Sequence, residues 1–189
     1  MASCTPKETP TSHVQPIYAR AATYQPGSYY VFRDSVTQGM DSFYVTYFDT
    51  STFNAFNQIN ETILTHFEND IKDKIVFLAS TAADGILMGE SYISKNSTTG
   101  QTIYKFSFTP GKIELLPNVS NQFVAKYDTI KIDNKFYVDV YETIYKVFST
   151  PDTMYTQKWY SLQDGLIKMR IHGNGVDKVY TTMRHLQLN

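Results

Sequence analysis

The chain reads TIKIDNKFYVDVY over residues 129–141, where apolar and polar residues alternate except at one polar pair, Asp133-Asn134. Both residues of this pair tolerate positive φ, so the pattern predicts two strands joined by a two-residue turn. A slip of one residue would send every apolar side chain to the opposite face, and the alternation therefore fixes the register as well.

A second unit of the same kind follows between Trp159 and Leu188. Its first strand reads LIKMRI over residues 166–171, with apolar and basic side chains on opposite faces. The next polar pair, Asn174-Gly175, is the strongest signal for a two-residue hairpin turn. These two hairpins decide the fold class of the chain.

The remaining sequence extends this antiparallel β pattern. Fifteen tyrosines and twelve phenylalanines accompany abundant threonine, while leucine and alanine are scarce, which favours sheets over helices. Further runs have strand composition and are separated by turn residues: 28–36, 41–48, 74–80, 85–94, 102–108 and 122–127. The segment Ser51–Ile71 fits helix or strand spacing, and we favour a strand from about Glu61 to Glu68.

A length of 189 residues suits one domain with a substantial core. We therefore predict a single all-β domain over residues 18–189. About ten strands would form an antiparallel meander, curled into a barrel, a half-barrel or two packed sheets.

The first 17 residues differ in composition from the rest. Cys4 follows two small residues, as at the end of a bacterial lipoprotein signal peptide, without the charged and apolar regions that should precede it. Thr5–Pro16 is rich in proline and polar residues and predicts a disordered tether spanning roughly 40 Å. Together these features predict lipid attachment at Cys4, with the domain held outside a bilayer.

Four segments, in order, resemble those of uncharacterised lipoproteins of the Bacteroidota cell envelope: residues 27–35, the hairpin 132–140, WYSLQDGLIK over 159–168, and 180–186. The resemblance covers most of the chain from about residue 18. Two departures, Asn134 and Gln163-Asp164 where glycine is usual, keep turn chemistry. The resemblance implies a secreted, lipid-anchored, antiparallel β domain in the cell envelope, and it carries over no reaction, cofactor or catalytic residue.

Charge and motifs point to few kinds of chemistry. A net charge of −1 without a basic stripe argues against nucleic acid, and one cysteine excludes an internal disulfide and a cysteine-based zinc site. No motif for a metal, a cofactor or a nucleophile is present. Two groups of metal-binding residue types are read as ordinary surface residues: His13, His66, His172 and His185, and the acidic residues Glu61, Glu68, Asp70 and Asp73.

The aromatic side chains of the strongest strands are the candidate ligand contacts: Tyr141, Tyr145, Tyr155, Trp159 and Tyr160. An inward row of rings would line a cavity for a small apolar ligand, whereas an exposed row would contact a glycan or a protein. The alternative, in which these rings simply pack against the sheet and contact no ligand, stays open. A different class, a hydrolase or isomerase, would require carboxylates such as Asp139 and Glu142 to converge in a cavity. We predict a non-enzymatic binding or structural role.

Overall fold

The computed structural model describes residues 9–55, 57–69, 75–82, 88–94, 101–106, 108, 112–116, 119–148, 153–173, 175–186 and 188. One helix, α1, spans Pro16–Ala22. Thirteen strands are described: β1 Thr11–Ser12, β2 Tyr29–Asp34, β3 Met40–Ala55, β4 Gln58–Asn69, β5 Ile75–Ala82, β6 Met88–Ser94, β7 Gln101–Phe106, β8 Lys112–Leu116, β9 Val119–Ile132, β10 Lys135–Phe148, β11 Thr153–Ser161, β12 Gly165–Gly173 and β13 Val176–Leu186.

All strands belong to one curled sheet, which confirms the predicted all-β class. The order is β7-β6-β5-β4-β3-β2-β13-β12-β11-β10-β9-β8, and the two-residue β1 runs parallel to β4. Two antiparallel meanders, β2 to β7 and β8 to β13, are thus joined where β2 pairs with β13. Within the described residues β7 and β8 are the two edges, so the sheet remains open, although β7 comes close to β9 and β10.

The two hairpins that decided the fold class form in the predicted register. Ile132 pairs with Lys135 around Asp133, whose φ is 52°. Gly173 pairs with Val176 beside Gly175, at a φ of 74°. The strand favoured between residues 61 and 68 is also confirmed and is longer than predicted, as β4.

Helix α1 packs against the concave side of the curled sheet. Tyr18 is fully buried and stacks on Phe108, with ring centroids 5.2 Å apart. The Phe108 backbone N–H donates to the Tyr18 hydroxyl at 3.2 Å, and the Thr65 hydroxyl donates to the carbonyl of Ala22 at the end of the helix. The concave face is therefore a packed core rather than a lined cavity where α1 lies.

The packed domain begins earlier than the predicted boundary at residue 18. The carbonyl of Pro10 accepts a hydrogen bond from the Ile59 N–H at 3.0 Å, and β1 then pairs with β4. Val14 is buried, and its N–H donates to Glu61 at 2.9 Å. The extended conformation expected of a proline-rich segment is thus used for strand pairing, and the tether prediction does not hold from Pro10 onward. Residues 1–8, including Cys4, lie outside the described residues.

The hairpin of β9 and β10 bends at Asp139 and folds over the convex face of the sheet. Asp139 has a φ of 48° and no strand partner, and regular pairing resumes at Val140. The part beyond the bend, residues 129–138, is called the tip hairpin below. It packs on the sheet in a second apolar cluster formed by Ile132, Tyr137, Val140, Trp159 and Ile167.

Two ion pairs hold the tip hairpin against the sheet. The Lys135 ammonium lies 2.8 Å from Asp164 in the turn between β11 and β12. The Arg33 guanidinium on β2 lies 3.1 Å from Asp133 at the turn of the hairpin. The hairpin therefore crosses four neighbouring strands, from β11 to β2. In the part of the chain that is described, no helix has the length and apolar character required to cross a bilayer.

Candidate ligand-binding groove

A groove runs between the tip hairpin and the convex face of the sheet. It has a volume of about 450 Å³, with Ile130 and Ile132 on the hairpin side and Trp159 and Thr181 on the sheet side. A second depression of about 500 Å³ continues it toward Arg170. The two share four lining residues, so they form one elongated groove: Ser35, Trp159, Lys168 and Val179.

Cross-strand neighbours form the floor of this groove. The first row crosses five strands, β10, β11, β12, β13 and β2, in the order Glu142, Trp159, Lys168, Thr181 and Arg33. Adjacent strands lie about 4.8 Å apart, so the two ends of the row are separated by roughly 20 Å. The row therefore runs from a carboxylate through an indole ring to two cations. A second row contains Gln157, Arg170 and Val179.

Glu142 is buried at the acidic end and is held by two neutral donors. The Tyr127 hydroxyl donates to Glu142 Oε2 at 2.6 Å, and the Gln157 amide Nε2 donates to Oε1. The hydrogen bond to Glu142 raises the pKa of Tyr127 to about 12, because the carboxylate stabilises the protonated phenol. Both carboxylate oxygens are occupied, as a buried charge requires.

Trp159 and Lys168 form the centre of the floor. The Lys168 ammonium lies 4.9 Å from the centroid of the Trp159 ring, a cation–π contact. The indole is largely buried, and the Lys168 ammonium lies over one of its faces.

Arg170 forms the far end of the groove. Its Nε and Nη2 donate to Asp177 at 2.9 and 2.7 Å, and its guanidinium lies over the Tyr155 ring. The hydrogen bond from Arg170 lowers the pKa of the Asp177 carboxyl, so the pair is charged at neutral pH.

The five aromatic residues predicted as ligand contacts lie on opposite faces of the sheet. Tyr141 and Tyr160 pack with the concave core around α1, and alternation along β10 places the buried Tyr145 on the same side. These three are core residues, because each points away from the groove. Trp159 forms the groove floor, and Tyr155 lies under Arg170 beside it and stacks on His172.

The two carboxylates considered for hydrolysis do not converge. Glu142 faces the groove, whereas Asp139 is half-exposed and pairs with Lys126 at 3.5 Å. Lys126 in turn lies over the ring of Tyr141, which belongs to the concave side. The sheet therefore separates the two acids, and the arrangement required for that alternative is not formed by this pair.

The histidines are likewise separated. His172 pairs with Asp177 on the neighbouring strand, while His185 lies 3.5 Å from Asp164 and stacks on Tyr30. His13 pairs with Glu61. Among the residues that the structure describes, no group of three or more metal-binding side chains is found, and Asp70 and Asp73 of the acidic series lie outside them.

Comparison with known proteins adds no assignment: no protein-family model, no curated protein and no solved structure matches the chain.

Several groove residues were not predicted as ligand contacts: Arg33, Tyr127, Gln157, Lys168 and Thr181. A signal for Lys168 exists in the sequence, since a hairpin turn near Gly165 brings it close to Trp159. The exact pairing depends on an irregularity between Trp159 and Tyr160, which shifts the register. For Arg33 no local signal exists, because its place depends on the pairing of β2 with β13.

Proposed function

We propose that this protein is a lipid-anchored domain of the bacterial cell envelope that binds a glycan in the groove beneath the tip hairpin. The observation that carries the binding role is the groove itself. It is elongated, it has an aromatic floor at Trp159, and its polar groups are fixed by hydrogen bonds to one another. Such a combination orients a polar ligand.

A glycan suits this groove better than a small apolar ligand. Sugar hydroxyls both donate and accept hydrogen bonds, and the lining offers an amide at Gln157, a hydroxyl at Thr181 and an ammonium at Lys168. Two connected depressions suit a chain of sugar units. On the concave side, where an apolar ligand was expected to bind, α1 and its aromatic neighbours occupy the part that the structure describes.

The anchor is proposed from Cys4 and from the resemblance to envelope lipoproteins. Because packing begins at Pro10, only six residue steps separate Cys4 from the domain. At no more than ~3.6 Å per residue, this segment reaches at most roughly 20 Å. A domain attached at Cys4 would therefore sit close to the lipid surface, at about half the distance predicted for a tether of full length.

Fatty-acid labelling tests the anchor. The full gene is expressed in its own host and labelled with an alkyne fatty acid, in wild type and in Cys4→Ser. We expect label on the wild-type protein and none on the variant. An unlabelled wild-type protein, in a host whose known lipoproteins are labelled, would refute the anchor.

Fluorescence tests the groove, because Trp159 is the only tryptophan in the chain. Titration with a panel of neutral and acidic oligosaccharides is expected to give a saturable change in emission for at least one member. Ser35 is exposed and lines both depressions, so Ser35→Phe should block the groove and abolish the change.

Thr50→Phe is the matched control, since Thr50 is an exposed residue of β3 that does not line the groove. Its binding, measured by calorimetry, should equal that of the wild type. No saturable response to any oligosaccharide, or unchanged binding by Ser35→Phe, would refute the proposed function.

A further inference from the structure

We infer that the glycan is anionic and that an acid group of it binds at Lys168. This inference rests on the proposed function and specifies the ligand class of the same groove. It follows from which charged groups of the groove already have partners and which do not.

Each acidic group of the groove is already engaged. Glu142 accepts hydrogen bonds from Tyr127 and Gln157. Asp133 pairs with Arg33 at 3.1 Å, and Asp177 accepts two hydrogen bonds from Arg170. These carboxylates thus stabilise the groove itself.

Lys168 has a different environment. Its ammonium lies 4.9 Å from the centroid of the Trp159 ring. Lys168 lines the groove and has no carboxylate partner among the described residues. Lys131, by contrast, lies with the exposed Phe136 on the outer face of the tip hairpin. An ammonium over an aromatic ring can still donate hydrogen bonds to an acid group, because the ring has no oxygen or nitrogen acceptor that would use its N–H groups.

The charge order along the floor would also orient the ligand. Lys168 lies two strands from Glu142 and two strands from Arg33 in the same cross-strand row. An acid group at Lys168 is therefore about 10 Å from Glu142, which has only neutral donors and repels it, and a similar distance from the Arg33–Asp133 ion pair, whose charges offset each other. The neutral hydroxyls of the ligand are left to face Tyr127 and Gln157.

Matched pairs of oligosaccharides test the inference. Trigalacturonate is compared with its methyl ester, and a sulfated oligosaccharide with its desulfated form, by calorimetry at low and at high salt. We expect at least one acidic form to bind tenfold or more tightly than its neutral partner, the factor expected for one charge-assisted hydrogen bond. The preference should shrink as salt is raised. The two pairs also distinguish a carboxylate from a sulfate ligand.

Variants locate the effect. Lys168→Met keeps the apolar stem over Trp159 and removes the charge, so it should reduce the affinity for the acidic form about tenfold and that for the neutral form by a clearly smaller factor. Lys168→Arg should restore the preference. Lys126→Met is the matched control, because it removes an ammonium from above the ring of Tyr141 on the other side of the sheet.

The outcomes separate this inference from the proposed function. Equal affinity for acidic and neutral forms, or an acidic preference that survives in Lys168→Met, would overturn the inference and leave glycan binding standing. The absence of binding to every oligosaccharide would overturn both.

Discussion

Replacing Gly165 by alanine should destabilise the fold strongly, for two reasons that add. Gly165 opens β12 with a φ of 72°, a left-handed conformation that costs an L residue about 1 kcal/mol. A Cβ atom there would overlap the Tyr30 hydroxyl and lie 2.5 Å from the Tyr24 hydroxyl. Both rings are buried, so relief requires repacking that costs about 1–3 kcal/mol. The sum is a loss of about 2–4 kcal/mol.

Gly175 offers a control, because it has nearly the same φ as Gly165 but no atom that an added Cβ would clash with. Its φ is 74°, and no atom lies within 4 Å of an added Cβ. Gly175→Ala should therefore lose only about 1 kcal/mol. Urea unfolding followed by far-UV circular dichroism gives both free energies of unfolding. Equal losses in the two variants would refute the steric argument, since they would mean that the tyrosine hydroxyls yield without cost.

Three further predictions concern the core and the bend. Burial raises the pKa of Tyr24 to about 12 and the pKa of Tyr30 above its usual range. The stability that these two neutral phenols confer is therefore complete below the unfolded pKa of about 10 and is lost as pH rises toward 12. A free energy of unfolding that stays constant from pH 9 to 12 would contradict this. Tyr18→Ala should cost about 3–5 kcal/mol in urea unfolding, because it removes a fully buried ring, whereas Tyr18→Phe should cost about 1 kcal/mol. Asp139→Gly should be neutral or stabilising, whereas Asp139→Val should cost about 1–2 kcal/mol, since the left-handed φ disfavours a β-branched side chain. Equal free energies of unfolding for the two variants would show that the bend carries no conformational preference.

Local signals predicted most of the strands and their turns, although β1 and β8 were not predicted. The turns at Asp133 and Gly175 could be predicted because a two-residue hairpin is determined by neighbours in sequence. The pairing of β2 with β13 could not be predicted, since nothing local brings together strands from opposite ends of the chain. The bend at Asp139 was hidden for a related reason: an aspartate at positive φ leaves the alternation of the flanking residues unchanged.

Helix α1 was missed although a signal was available. Pro16 is followed by Ile-Tyr-Ala-Arg-Ala-Ala, and proline at the first turn with alanines behind it favours a helix. Seven residues are too few to form a helix alone. Its stability comes from burying Tyr18 in a sheet that the sequence does not place next to it.

The candidate site was predicted only in part. Alternation shows that some of the aromatic side chains on β10 and β11 face away from the core, but it does not tell which face is covered. Helix α1 decides this, because it covers the side of Tyr141, Tyr145 and Tyr160 and leaves Trp159 facing the tip hairpin. The charged residues around Trp159 come from several strands, so their proximity depends on the complete sheet.

The pairing of β2 with β13 has a consequence for how the chain folds. Each meander is built from sequence neighbours, whereas the hydrogen bond from Leu188 to Ser28 joins residues 160 positions apart. Contacts of such long range form late and slow the folding rate. During synthesis the edge of β2 therefore stays unpaired until β13 has left the ribosome, and the domain completes its folding only after this strand has emerged.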